Sequence, residues 1–430
     1  MKRFSPNTAI AVVIANMIGT GVFVSLGYQL LDITSYPVLM SLWLVGGLTA
    51  LTGALCYGEL GAALPRSGGE YNYIAQIYHP AAGFISGWIS ATVGFAAPTA
   101  LAAMTFAAYL GTAFTGVSEK ASACALILVL GLIHATTRGV SGKLQTIFTV
   151  LKVSTIVIFC VLALAFVDAL QPVTLVPTMT DVTLIFSAPY AVALIYVNYA
   201  YSGWNAATYL AGELDDPQRQ LPRILTIGTL AVMITYLALN FTFLAVAPMS
   251  AMAGELELGY IVARHAFGAG AEPMALVLGF LLISTVSAMI MAGPRVLQVI
   301  GEDYPLLGFL ARVNRGGVPI SAIAFQCTLA ILFVLTGTFE SVLLVTGFIL
   351  GLNTFVTIAG LFVLRIRQPD LPRPFRVTLY PLTPIIFLTI TGWTLVYLLI
   401  EQPREGLYAL AIVVAGTFFH QISRVNWRRT

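Results

Sequence analysis

The sequence predicts an all-α polytopic membrane protein of twelve transmembrane helices, and three observations carry that expectation. The first is composition. Of 430 residues, 58% are hydrophobic and only 9% are charged, for a formal net charge of +3. So few charges cannot solvate the surface of a soluble domain. The second is a series of apolar stretches at 7–31, 36–63, 80–114, 120–137, 143–167, 182–213, 222–248, 272–300, 318–337, 339–365, 380–400 and 406–424. Their lengths suit helices crossing about 30 Å of hydrocarbon, some of them tilted or broken. The third is that the first and sixth stretches each carry an interruption near the middle.

The first interruption is Gly19-Thr20-Gly21, inside the run from Ile14 to Tyr28. Glycine orders at a high entropic cost and cannot shield a helix backbone. In a bilayer, freed N–H and C=O groups are tolerated only where they line a cavity or are buried in protein. A break here presents N–H groups from the outer half-helix and carbonyls from the inner half, which suit a carboxylate and an ammonium. The competing reading is a glycine pair that lets another helix approach.

The second interruption is Tyr199-Ala200-Tyr201-Ser202-Gly203-Trp204-Asn205, five spans later. An odd repeat length makes the second copy enter the membrane from the opposite side, and paired broken helices in inverted copies point to a secondary transporter with its site at the midplane. The expected organisation is a first repeat at 1–170, a second at 171–368 and two further spans at 369–430, all in one membrane domain. The segment 247–272 has room for a short outer helix, and Leu371-Pro372-Arg373-Pro374 reads as a stiff connector. Only Lys120, Arg264 and Arg404 fall on the side of the odd-numbered connections, so the positive-inside rule places both termini in the cytoplasm. Lys2 and Arg3 precede an apolar run too long for a signal peptide, so a retained first span is expected.

Other classes are disfavoured. No basic run suits nucleic acid. Cys56, Cys124, Cys160 and Cys327 lie in apolar segments without metal-like spacing, so no metal site or cofactor is expected. None falls in an outer loop, so no disulfide-linked ancillary subunit is expected. His79, His134, His265 and His420 are scattered, which argues against an intramembrane enzyme.

Four segments carry a resemblance. They are Met17-Ile18-Gly19-Thr20-Gly21-Val22-Phe23; the run from Tyr57-Gly58-Glu59 through Pro65-Arg66-Ser67-Gly68-Gly69-Glu70-Tyr71; Tyr201-Ser202-Gly203-Trp204-Asn205 with Gly212-Glu213-Leu214; and Arg373-Pro374-Phe375-Arg376-Val377 with Tyr380-Pro381. In this order, over nearly the whole chain, they resemble the amino acid–polyamine–organocation superfamily, and within it the bacterial L-amino-acid-transporter branch. The resemblance implies a LeuT-like fold of five plus five inverted spans and two C-terminal ones. It also implies alternating access for small amines or amino acids, in a bacterial inner membrane.

It further implies site residues. The N–H groups of Thr20 and Gly21, with the Thr20 hydroxyl, would hold a substrate carboxylate beside Gly19. The carbonyls of Ile18, Tyr199 and Ser202 would take the ammonium, with Gly203 in the break. Tyr199 matches a substrate lid, against the plainer reading of one packing tyrosine among 18. Asn205 either touches substrate or ties the unwound strand to a neighbouring helix, since a buried amide needs partners. Gly94, Ser284, Thr285 and Ser287 are candidates for the site wall. Glu59, Arg66, Glu70 and Glu213 either form an inner gate or cap and solvate helix ends.

Lys152 lies nine residues beyond Lys143, near the start of the fifth span. That is roughly 13 Å into the membrane, where an unpaired ammonium is costly. By the resemblance, this ammonium replaces a sodium ion held between the first and eighth spans, with the neighbourhood of Ile18 and Ser284 or Thr285 as acceptors. The expectation is therefore a sodium-independent uniporter or exchanger for neutral L-amino acids, because no acidic residue is legible near either break. The alternative is a basic amino acid or polyamine antiporter, or a proton-coupled symporter, of the same fold.

Overall fold

The computed structural model describes residues 5–114, 116–136, 142–304, 307–314 and 317–423. Lys2 and Arg3 lie outside them. Helices follow one another along the described chain, and no strand occurs among the described residues. Among the described residues, nine helices are long and apolar enough to cross a membrane, or ten if one bent pair counts as a single span. Ile320–Thr336 is a shorter apolar helix, and Pro403–Ser423 supplies the twelfth element in the expected order.

The first span is two helices, α1 (Pro6–Met17) and α2 (Thr20–Gln29). Ser5 caps α1 by accepting from the Thr8 N–H at 3.2 Å, and Pro6 sits where its missing N–H is harmless. The interruption is Ile18–Gly19, both extended, rather than Gly19-Thr20-Gly21. Thr20 and Gly21 already form the first turn of α2. Gly21 also serves packing, because a β-carbon there would collide with the Ala200 backbone. The two readings of the glycine pair thus divide between its members.

Three helices follow: α3 (Tyr36–Ala63), a short α4 (Glu70–Ile77) and α5 (Pro80–Ile89). A π turn at Ser90–Gly94 joins α5 to α6 (Ala96–Ala113). Next come α7 (Glu119–Thr136) and α8 (Gly142–Phe166). The sixth span has two interruptions. A 64° bend separates α9 (Met179–Ile185) from α10 (Ala188–Tyr201). Beyond α10 the chain unwinds at Ser202–Asn205 and resumes as a 3-10 helix, Ala206–Glu213.

The second half contains α11 (Pro217–Val246), two short helices α12 (Met249–Met252) and α13 (Leu258–Phe267), and α14 (Glu272–Asp303). It ends with α15 (Ile320–Thr336), α16 (Phe339–Arg367), α17 (Leu382–Glu401) and α18 (Pro403–Ser423). The connection expected to hold one short helix holds α12 and α13. It closes over α2, where the Gly254 N–H donates to the Gly27 carbonyl at 2.9 Å.

Buried apolar side chains of α1, α2, α3, α10, α11 and α16 form one continuous core around the two broken spans. Exposed leucines, valines and phenylalanines crowd α7, α8 and α18, as on lipid-facing surfaces. At one end of the bundle, Glu59 on α3 is fully buried and receives Arg365 at 2.6 and 2.8 Å, Arg373 at 3.5 Å and the Val377 N–H at 2.7 Å. The connector after α16 is thereby clamped to α3, so Glu59 is a structural anchor. Arg66 instead pairs with Asp303 at 3.1 Å, bridging the end of α3 to the end of α14.

Candidate functional site

The two interruptions lie against each other. Gly203 has φ +98°, a region glycine adopts readily and L side chains rarely. A β-carbon there would come within 2.9 Å of the Asn16 carbonyl. Only glycine lets the unwound strand pass over the end of α1. The hydroxyl of Tyr236 on α11 lies 2.5 Å from the Met17 carbonyl and 3.0 Å from that of Ala200, so one scaffold side chain addresses both half-helix ends.

At the start of α2 a buried donor lacks a partner. The Thr20 hydroxyl is buried, 3% exposed as a residue, and has no partner among the described residues. The N–H groups of Thr20 and Gly21 belong to the first turn, which has no intrahelical acceptors. A helix N-terminus with a free hydroxyl is suited to an anion.

Lys152 is 3% exposed. Its ammonium donates to the Ile18 carbonyl at 2.9 Å and to Thr285 Oγ1 at 3.0 Å. One cation therefore joins α8, the interruption of the first span and α14. The Ile18 carbonyl, expected to take a substrate ammonium, already accepts from this lysine. Ser284 is no partner of Lys152: its hydroxyl donates to the Leu281 carbonyl at 2.9 Å, one turn back. Ser287 pairs with His134 Nε2 at 2.8 Å.

A cavity of about 110 Å³ adjoins α1 and the 3-10 helix. Asn16, Ser90, Gly94, Ser202, Gly203 and Asn205 contribute to its wall. Thr20 and Gly21 do not reach it. Tyr199 lies behind it, on a smaller cavity of about 60 Å³ that shares Ser202, Trp204, Leu350 and Thr354. The tyrosine therefore stands beside the cavity rather than over it. Its removal is expected to slow transport more than it weakens binding, because a flanking ring controls occlusion. Tyr199→Phe separates ring from hydroxyl, and near-normal flux in both Tyr199→Ala and Tyr199→Phe would rule out a gating role.

Residues 4–418 match the family model described as amino acid permease. The chain belongs to the amino acid permease family. The permease is 29% identical over 432 residues to the large neutral amino acids transporter small subunit 2 of Mus musculus, covering 96% of this chain and 80% of that one. It is 26% identical to the b(0,+)-type amino acid transporter 1 of the same species, covering 96% and 86%. With the Asc-type amino acid transporter 1 of Mus musculus it shares 29%, covering 96% and 80%.

The permease holds one carboxylate where none was expected. Glu70, on α4, lines the cavity next to the second interruption. It accepts from the Asn205 amide, from Tyr57 at 3.0 Å and from Tyr209 at 2.6 Å. Asn205 therefore ties the unwound strand to α4, and the sequence-based expectation of no acidic residue near either break is corrected. Arg295 and Asn353 also line the cavity and were not singled out from sequence. The backbone of Glu213 ends the 3-10 helix, and its side chain lies outside the described residues. All four cysteines are free. No group of three or more metal-ligating side chains occurs among the described residues.

The division of labour between Ser284 and Thr285 is testable. Thr285→Val removes a hydrogen bond to a charged group and is expected to lower flux about tenfold or more. Ser284→Ala removes only a bond to its own helix and is expected to stay within about twofold. Uptake normalised to protein level checks both, and equal losses would disconnect Thr285 from Lys152.

Proposed function

We propose that this permease is a sodium-independent amino-acid transporter, a uniporter or exchanger, that moves neutral L-amino acids by alternating access. The observation that carries the proposal is the Lys152 ammonium between Ile18 and Thr285. A fixed cation there supplies the positive charge that a sodium ion would bring, without coupling transport to sodium. The donors at Thr20 and Gly21 suit the substrate carboxylate, and the carbonyls of Tyr199 and Ser202 suit its ammonium, while the Ile18 carbonyl is held by Lys152. The names of the relatives, which include large neutral amino acids, support the substrate class.

In this reading the chain is a bacterial inner-membrane protein with cytoplasmic termini, organised as inverted repeats at 1–170 and 171–368. It acts without an enzymatic step or cofactor, and it needs no disulfide-linked partner, because no cysteine stands in an outer connection. With the termini so placed, the cavity flanks the inner half-helices, where an inward-facing conformation would open it. On the outer side Tyr28 stacks on Tyr196 at 5.4 Å and on Phe339 at 6.0 Å, and Tyr196 donates to Glu340 at 2.9 Å.

Glu70 favours a second reading, a basic amino acid or polyamine antiporter or a proton-coupled symporter, because it places a carboxylate in the cavity. Competition uptake in proteoliposomes with alanine, leucine, arginine and putrescine separates the two. Inhibition by alanine and leucine is expected. Inhibition by arginine or putrescine alone would overturn the neutral reading.

A further inference from the structure

The wall of the cavity beside the two interruptions is mostly apolar: Val12, Phe95, Leu210, Met289 and Leu350 contribute to it. Several of its polar side chains are already engaged. Asn16 donates its amide to the Val12 carbonyl at 2.8 Å, Ser90 donates to the Ser86 carbonyl at 3.1 Å, and the Asn205 amide is held by Glu70. Arg295 has an interaction partner of its own. Asn353 on α16 differs. It is 5% exposed and lines the cavity, yet its side-chain amide makes no hydrogen bond among the described residues. A buried amide without partners is unfavourable unless a ligand or water supplies them. Asn353 also stands one turn from Leu350, which borders both cavities, and shares its face of α16.

We propose that Asn353 sets side-chain specificity within the one substrate site, and selects neutral amino acids that carry a carboxamide, asparagine and glutamine, over aliphatic ones of similar shape. The proposal rests on the transport reading above and deepens it. The cavity shares Ser202 and Gly203 with the second interruption, so a substrate held there by its ammonium extends its side chain along the cavity wall. An asparagine side chain offers one carbonyl and two N–H donors. A substrate carboxamide presents the same groups in reverse and pairs with it twice. A hydroxyl makes one bond at a time, and a methyl group none. An aliphatic side chain therefore leaves the Asn353 amide buried and unpaired, and loses affinity on that account. A carboxylate side chain is disfavoured, because Glu70 lines the same wall. The apolar remainder of the wall would by itself rank leucine above asparagine, so the opposite ranking isolates the contribution of Asn353.

The test is competition against labelled alanine uptake by the full-length permease in proteoliposomes. In the wild type, asparagine and glutamine are expected to inhibit at concentrations about fivefold or more below those of leucine and methionine, and glutamate about tenfold more weakly than glutamine. Asn353→Leu is expected to reverse the ranking: the inhibition constant of asparagine rises about tenfold and that of leucine falls. Asn353→Ser keeps one hydroxyl and should lie between the two. Inhibition by leucine also reports that each variant is folded. Leucine equal to or better than asparagine in the wild type would overturn the proposal without any variant. Equal changes for both inhibitors in a folded Asn353→Leu would overturn it too, and would leave Asn353 served by water alone. Absence of alanine uptake by the wild type would defeat the transport reading itself, a separate result.

Discussion

Lys152→Ala is expected to reduce flux at least about 100-fold, or about 2.7 kcal/mol of transition-state stabilisation, with little change in the amount of protein in the membrane. The ammonium bonds an interruption carbonyl and a hydroxyl on α14, at 2.9 and 3.0 Å. Its loss leaves the buried Ile18 carbonyl without its donor and removes the link between α8 and α14. Those contacts influence the transport cycle only if they differ between inward- and outward-facing states. The variant therefore arrests transport through the cycle rather than through insertion. Normalised uptake in proteoliposomes, with and without sodium, checks this. Full activity in Lys152→Ala would refute the assignment of the lysine as a stand-in for sodium.

Gly203→Ala is expected to have a comparable effect, a loss of about 50-fold or more. Two costs combine. The φ of +98° is strained for a residue with a side chain, by about 1–2 kcal/mol or more. The new methyl would also stand 2.9 Å from the Asn16 backbone and push the unwound strand off α1. Gly270→Ala is the control, since its β-carbon would meet nothing closer than Phe267 at 3.8 Å; it is expected to transport normally. Uptake and ligand-induced thermal stabilisation should fall together in Gly203→Ala. Normal stabilisation by leucine would show that the crossing of the two strands is not needed for binding.

Hydropathy made the succession of spans legible because lipid leaves a helix no external hydrogen-bond partners, so length and polarity report crossing directly. The interruptions were legible because glycine beside small or aromatic residues is a poor helix interior. The contacts of Lys152 were legible as far as depth demands a partner. Ser284 and Thr285 were not separable, because adjacent helical residues face directions about 100° apart and helix rotation is not written in an apolar stretch. Glu70 was named as a gate or capping candidate, but its place beside the second interruption was not legible. It opens α4, a short helix between two spans, and nothing in the composition of that segment shows that it folds back against the second interruption. Asn353 was missed because a single amide in a long apolar helix usually finds a partner. Its lack of one becomes visible only with the neighbours in place.

Sodium-independent exchange through the two broken spans is the central claim, and counterflow tests it most directly. The permease would be reconstituted in liposomes loaded with unlabelled leucine, and labelled leucine uptake compared in sodium and in an impermeant organic cation. Equal, saturable uptake in both media, abolished in Lys152→Ala, is the expected result. Uptake that requires sodium, or that survives unchanged in Lys152→Ala, would contradict it.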